Sequence, residues 1–383
     1  MSTTPRAASR LHELDWLRVL AILGVFVFHS LRFFDAEDWH FKNAVRHPGL
    51  TPLMMFFVLW SMPLLFTISG ASVSLALGKR RPGVLLKDRA LRLLVPLVVG
   101  IFTHGMWQIY LERSSHGQFD GTFFDFVPHY FQGLYGLGGN FAWMGVHLWY
   151  LELLFVFTLI LMPLFAWMRK RSDEGSINPP ERKEFFPGRI YMFAIPVMLL
   201  ALLSPETILA ARRWGGWSLA ANLFFFFGGF ALVSDGRLYG SVRKLRWVSL
   251  AAGLAMTAGM ISVFARSGDP EFGTAYYTWL IAVYGLSAWL WVLSIVGFAA
   301  NRLRVPKPWL GYANEAVLPF YIMHQPLLLA VGTVVIPLHI PDSLKWGGIA
   351  AGAFILCAGL YELLVRRFRW LRFLFGMKAS VAK

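Results

Sequence analysis

One cysteine, Cys357, stands among 383 residues. With no second sulfur the chain has neither an intramolecular disulfide nor a thiolate cluster for a metal ion. Charge is scarce too: Asp, Glu, Lys and Arg make up 15% of the chain, and 21 acids face 36 basic residues. No long polar stretch offers a separate soluble domain, and no internal repeat is visible. The missing repeat counts against an inverted-repeat transporter. The first apolar run carries charge and has no short core ending in a small-residue cleavage site, so it reads as a retained helix and not a signal peptide.

What remains is apolar. Hydrophobic residues make up 57% of the chain and aromatics 16%, and the mean hydropathy is +0.55. That is the composition of a polytopic membrane protein. A crossing needs roughly 20 mostly apolar residues. The pattern predicts an all-α chain with ten such segments, near 15–34, 52–77, 91–111, 147–167, 190–206, 217–234, 246–265, 275–298, 309–331 and 346–365. The fifth is interrupted by Pro196 and closely followed by Pro205. Alternation from a cytoplasmic N-terminus puts every Lys and Arg inside except Arg32, Lys42, Arg46, Arg113, Arg212, Arg213, Arg266 and Lys345. This positive-inside bias places both termini in the cytoplasm. The formal net charge of +15 therefore orients the chain in a bilayer, and nucleic acid is not an expected partner. The expected division is a tail over 1–14, a membrane domain over 15–366 and a basic tail over 367–383. The largest inner loop, Arg169 to Arg189, contains the polar connector SDEGSINPPERKE. The largest outer loop, Glu112 to Val146, is rich in glycine and aromatics, which suits a bilayer interface, a sugar stack or the cover of a cavity.

Ionisable residues inside membrane helices are costly and mark functional sites by default. The first apolar run carries three: Asp15, Arg18 and His29. Arg18 and His29 are 11 positions apart, about 20° past three full turns, and Asp15 lies within roughly 60° of both. His29 is about 21 Å along the helix from Asp15. His324 lies at nearly the same depth in the ninth segment, while HLWYLELL opens the fourth from outside with His147, Trp149 and Glu152. Three histidines and a carboxylate from three helices thus reach the outer half of the membrane. On the inner side, Arg89 and Arg92 share a helix face. Paired guanidiniums there suit phosphate oxygens. Glu315 is placed to pair with an inner arginine. His104 and His12 have no evident companions and read as structural or solvated. Arg32 is available to a mid-depth carboxylate.

Several of these stretches occur in an order that resembles the membrane-bound acyltransferase-3 family: LDWLRVLAILGVFVFHS, PLLFTISGASVSLAL, LLKDRALRLLVP, HLWYLELL and PFYIMHQPL. The resemblance covers nearly the whole chain and is nearest to the subgroup that succinylates periplasmic glucans. It implies a multi-pass enzyme of the bacterial inner membrane, with cytoplasmic acetyl- or succinyl-coenzyme A as co-substrate. The acceptor it implies is a hydroxyl of a glucan or other carbohydrate on the outer side, with no permanently bound cofactor. By the same resemblance Arg18, Arg89 and Arg92 meet the donor's phosphates and His29 is the essential histidine. Helix depth adds Glu152 and His324 as catalytic candidates and His147 and Trp149 as acceptor contacts, with Asp15 and Glu315 as pairing residues. No metal is expected. The competing reading is a proton-coupled secondary transporter that uses the same intramembrane His, Arg and Glu.

Overall fold

The computed structural model describes residues 11–177, 185–203, 214–268 and 270–378. Arg6, Arg10, Pro205, Arg212, Arg213 and positions 178–184 of the inner connector lie outside the described residues. Among those described the chain is helical, and its only extended pairing is two isolated bridges. In order the helices are α1 (His12–Leu31), α2 (Thr51–Leu77), α3 (Pro82–Gly100), α4 (Met106–Ser115), α5 (Phe123–Tyr130), α6 (Trp149–Ile177) and α7 (Ala194–Ala201). They continue with α8 (Leu219–Ser234), α9 (Gly236–Lys244), α10 (Arg246–Ser267), α11 (Ala275–Arg302), α12 (Pro308–Val335), α13 (Asp342–Leu360) and α14 (Arg369–Leu374).

By length and composition, seven described helices can cross a membrane, or eight if α8 and α9, bent by 101°, count as one span. Two expected segments fall short for local reasons. The segment expected at 91–111 is helical from Pro82 to Ser115, but a π turn over Ile101–Gly105 interrupts it and charged residues crowd its first half. The segment expected at 190–206 is a short apolar helix over Pro187–Ala201, opened by a 3-10 turn. Where the first helix was expected to begin at residue 15, α1 begins at His12.

The chain forms two compact units that interleave along the sequence. The first takes Met1–Ala21, Met55–Leu85 and Phe157–Leu310. Its packing is close and largely apolar. A Cβ at Gly70 of α2 would lie 1.8 Å from the Phe226 carbonyl oxygen, and one at Gly229 of α8 would lie 1.9 Å from that of Thr67. Only glycines let two helices approach so nearly, so α2 and α8 touch backbone to backbone. Beside them Phe165 and Phe230 stack at 3.8 Å with planes 2° apart. Two buried indoles donate to carbonyls: Trp217 to Val58 at 3.0 Å and Trp289 to Ile190 at 2.8 Å.

The second unit takes Ile22–Met54, Leu86–Val156 and Gly311–Lys383. Its helices α3 and α12 carry Pro96, Pro319 and Pro326 in their interiors, as α2 and α6 carry Pro63 and Pro163 in the first unit, and ordered loops pack among them. The aromatic outer loop is one of these. Phe126 and Tyr130 of α5 pack with Met106, Ile109 and Ala142, while Phe124 is 81% exposed. Thr122 and Asp125 cap α5 reciprocally, and those hydrogen bonds hold the Asp125 carboxyl below the usual carboxylate range. The C-terminal segment, expected as a tail, folds into α14 with Arg372 buried.

Candidate active site

The site begins with a proline. Pro326 in α12 has no N–H, so the carbonyl of Ile322, four residues earlier, loses its helical partner. His147 supplies a replacement: its Nε2–H donates to that carbonyl at 3.1 Å. In return the Tyr321 hydroxyl donates to the His147 carbonyl. This mutual clamp ties the start of α6 to α12 one turn before Pro326. His147 is approached through Gly145 and Val146, both left-handed, with φ of 71° and 57°. For a β-branched valine that conformation is strained by about 1–3 kcal/mol. His147 was expected at an interface, yet it is buried, 5% exposed, because the Ile322 carbonyl draws its ring inward.

His324 lies between Pro319 and Pro326 and is fully buried. Its Nδ1 is 2.6 Å from the Tyr321 carbonyl oxygen, which can only accept, so Nδ1 carries the proton. In the neutral ring Nε2 is then a bare acceptor. It lies 2.8 Å from His29 Nδ1, which must donate to it. One assignment of protons therefore follows along the chain Tyr321 carbonyl, His324, His29, and it leaves the lone pair of His29 Nε2 outward. Among the described residues no protein group bonds that nitrogen. His29 is half-buried and hence reachable.

Two further histidines join this neighbourhood. His104 was expected to have no companion, but its ring centroid is 5.8 Å from that of His147. The π turn carries it there, a feature often found at functional sites. Its Nδ1 meets Thr103 Oγ1 at 3.3 Å, while its Nε2 and the Nδ1 of His147 are buried with no partner among the described residues. His40, from the loop after α1, was not singled out at all. Its Nδ1 bonds Glu112 of α4, and its Nε2 accepts from the Gln325 side-chain amide at 3.1 Å. Gln325 donates also to Gln108 Oε1 at 3.1 Å, and the Tyr135 hydroxyl donates to Glu112 at 2.8 Å. Burial, then the Glu112 carboxylate, holds the Tyr135 hydroxyl far above its ordinary range, so it remains a donor. No periodicity marks His40, since it lies in an irregular loop. The HQP triplet was the legible signal for the rest, because it places a freed carbonyl beside a histidine.

A buried histidine set against a half-buried one that presents a lone pair is a general-base arrangement. The profile of the acyltransferase domain family matches residues 11–362, a span that holds every residue of this arrangement. The chain belongs to the acyltransferase-3 family. Its curated relatives include the glucans biosynthesis protein C of Salmonella paratyphi B, of Salmonella dublin and of Salmonella enteritidis. Each is 25% identical over 394 residues, a match covering 100% of this chain and 98% of the relative. No solved structure matches the chain. Seven or eight spans and this membership make the protein a multi-pass membrane acyltransferase.

The acyltransferase's other expected residues are distributed as follows. Glu152 lies one turn into α6, with Oε2 buried and unpartnered among the described residues. Trp149 is half-buried at the start of α6, its ring 6.4 Å from that of Tyr150. Arg18, in the first unit, bonds Asp15 at 3.3 Å and the Ser72 hydroxyl at 2.9 Å. Arg89 is half-buried and Arg92 exposed on α3 in the second unit. Pro96 frees the Arg92 carbonyl, and the chain after α14 packs against it: a Cβ at Gly376 would lie 2.2 Å away. Glu315 pairs with the buried Arg372 at 2.6 Å. Arg32 is engaged by Asp35, which holds Lys42 as well at 2.6 Å, so it is not open to a substrate carboxylate. Among the described residues no cluster of His, Cys, Asp and Glu suits a metal ion.

Proposed function

We propose that this acyltransferase moves a short acyl group from acyl-coenzyme A to a hydroxyl of a carbohydrate, with His29 as general base. The observation that carries the reading is the proton order along Tyr321, His324 and His29, which leaves His29 Nε2 bare. The acceptor hydroxyl gives its proton to that nitrogen while its oxygen attacks the thioester carbonyl. The carbon–sulfur bond then breaks, and the leaving thiolate takes the proton back, so an ester and free coenzyme A result. His324 stabilises the His29 imidazolium by accepting from its Nδ1–H, and the Tyr321 carbonyl keeps His324 in the tautomer that can do so. A base of this kind contributes about 10²–10⁴-fold to rate. The buried, unpartnered Glu152 oxygen is assigned to the reacting groups, and His147 and Trp149 to the acceptor side.

Arg89 and Arg92 take the donor's phosphate oxygens, the role that keeps two guanidiniums on one helix face. Arg18 is given the same role from α1. The long apolar helices, the bent pair, the helix from Pro82 to Ser115 and that over Pro187–Ala201 together give ten crossings. Both termini then lie in the cytoplasm of a bacterial cell, and His29 lies toward the outer side of the inner membrane. The relatives' name supports a glucan as acceptor and their subgroup a succinyl donor. The engagement of Arg32 by Asp35 removes one cation that a succinyl carboxylate would use, so acetyl remains as well supported.

The test is transfer of label from radiolabelled acetyl- and succinyl-coenzyme A by membranes holding wild-type protein or His29→Ala at matched expression. Label in an extractable glycan with wild type alone is the expected result, and the better donor identifies the acyl group. Equal transfer by both would end the proposal for His29. Arg89→Ala and Arg92→Ala should weaken donor binding with expression intact, and unchanged affinity would leave them as topological anchors.

A further inference from the structure

The loop between α1 and α2 has almost no regular structure, yet its polar groups are engaged. Lys42 Nζ donates to the carbonyls of Arg32 and Asp35 at 2.6 and 2.8 Å and to the Asp35 carboxylate. Arg32 reaches the Asp38 carbonyl at 2.6 Å. The Ser115 hydroxyl donates to the His40 carbonyl at 2.7 Å, and the His40 ring is held between Glu112 and Gln325. A surface loop normally keeps its polar groups in water. Here they are spent holding one side chain, Trp39.

Trp39 packs its edge on Phe33, with centroids 4.8 Å apart and planes at 89°. Its face runs parallel to the His29 imidazole, with planes 13° apart and centroids 6.3 Å apart. The indole is half-buried, and its N–H makes no hydrogen bond among the described residues. A flat apolar face therefore stands beside the His29 ring, whose Nε2 is the bare acceptor. A hydroxyl-bearing ring complements both: its C–H face lies on the indole, and a hydroxyl at its edge donates to the imidazole. The thin, flexible pantetheine arm of a coenzyme A thioester has no such face.

We propose that Trp39 is the platform for the acceptor, and that the acceptor is a pyranose ring presented edge-on to His29. The assignment rests on His29 being the base for a hydroxyl acceptor. The ring lies on the indole and so aims one hydroxyl at Nε2, which makes Trp39 a determinant of which hydroxyl is acylated. The chemistry of transfer is unchanged by it: the hydroxyl proton passes to His29, the thioester bond breaks and the thiolate leaves protonated.

The experiment uses the full chain in membranes, with a β-linked gluco-oligosaccharide as acceptor probe and labelled acyl-coenzyme A as donor. Trp39→Ala should raise the acceptor KM roughly tenfold or more, the scale of one lost aromatic stack, with donor binding retained. Trp39→Phe keeps the packing on Phe33 but offers a smaller face, and should fall between. An unchanged acceptor KM in Trp39→Ala would overturn the proposal. So would loss of donor binding in Trp39→Phe, because the indole would then serve only to hold the loop. His29→Gln separates the two readings. If it abolishes transfer while Trp39→Ala leaves the acceptor KM unchanged, the base stands and the platform fails. If it transfers normally, the base fails.

Discussion

Two helix contacts in this protein, that of α2 with α8 in the first unit and that of α12 with the start of α6 in the second, treat buried backbone in opposite ways. Where α2 meets α8, the helices approach through Gly70 and Gly229, closer than any side chain would allow, and the Trp217 and Trp289 indoles each donate to one carbonyl. Around α12, prolines break the helical ladder and side chains from other elements repair it, as His147 does for the Ile322 carbonyl. Close packing gives one rigid arrangement. Repair by side chains gives directed nitrogens and oxygens, each with a defined proton, which is what acid–base chemistry needs.

Four changes would break or sharpen that contrast. The largest effect is expected from Gly70→Leu, whose side chain would meet the Phe226 carbonyl. Overpacking against backbone leaves no side chain to yield, so little monodisperse protein should survive detergent extraction. Gly259→Leu on α10, where nothing lies within 4 Å of a Cβ, should extract like wild type. If the two behave alike, the close approach of α2 and α8 is not what holds the first unit.

Next, His324→Ala should lower transfer by about a hundredfold, within the range for losing a positioned acid–base group, while the purified protein stays folded. Transfer at the wild-type rate would mean that His29 needs no partner to set its tautomer. His147→Phe keeps the ring but strands the Ile322 carbonyl. Leaving a buried acceptor unpaired costs about 1–3 kcal/mol, to be read as a lower unfolding temperature of the purified protein. An unchanged temperature would show that the Ile322 carbonyl needs no outside donor.

The smallest effect belongs to the cap of α5. Asp125 is held below the usual carboxylate range in the folded chain. Its contribution is therefore complete above the unfolded value and is lost as pH falls through the folded one. Amide exchange in residues 123–126, corrected for its intrinsic pH dependence, should lose protection in acid with wild type and show no such step in Asp125→Asn. Identical profiles would remove the capping carboxylate from the account.

Much of this was legible in the sequence, and the rest was hidden for definite reasons. The apolar runs marked most helices, since a 3.6-residue period and a length near 20 are local properties. They did not show the π turn within Pro82 to Ser115, which has no composition signal, or the short helix over Pro187–Ala201 with its opening 3-10 turn. Asp15, Arg18 and His29 stood out because charge in an apolar helix is rare. His40 did not, because a loop has no period to violate. His104 seemed alone because its companion, His147, is distant in the chain.

By itself, then, the sequence determined the class of protein, the approximate helices, the stripe on α1 and the resemblance to a family of acyltransferases. These depend on neighbours within a few turns. The tertiary structure alone decided which nitrogen of His29 is bare, that Arg32 belongs to Asp35 and Glu315 to Arg372, and that Trp39 lies parallel to the His29 ring. His29 and His324 are separated by 295 positions. Whether their nitrogens meet depends on the rotation of α1 and the path of α12, which no local pattern specifies.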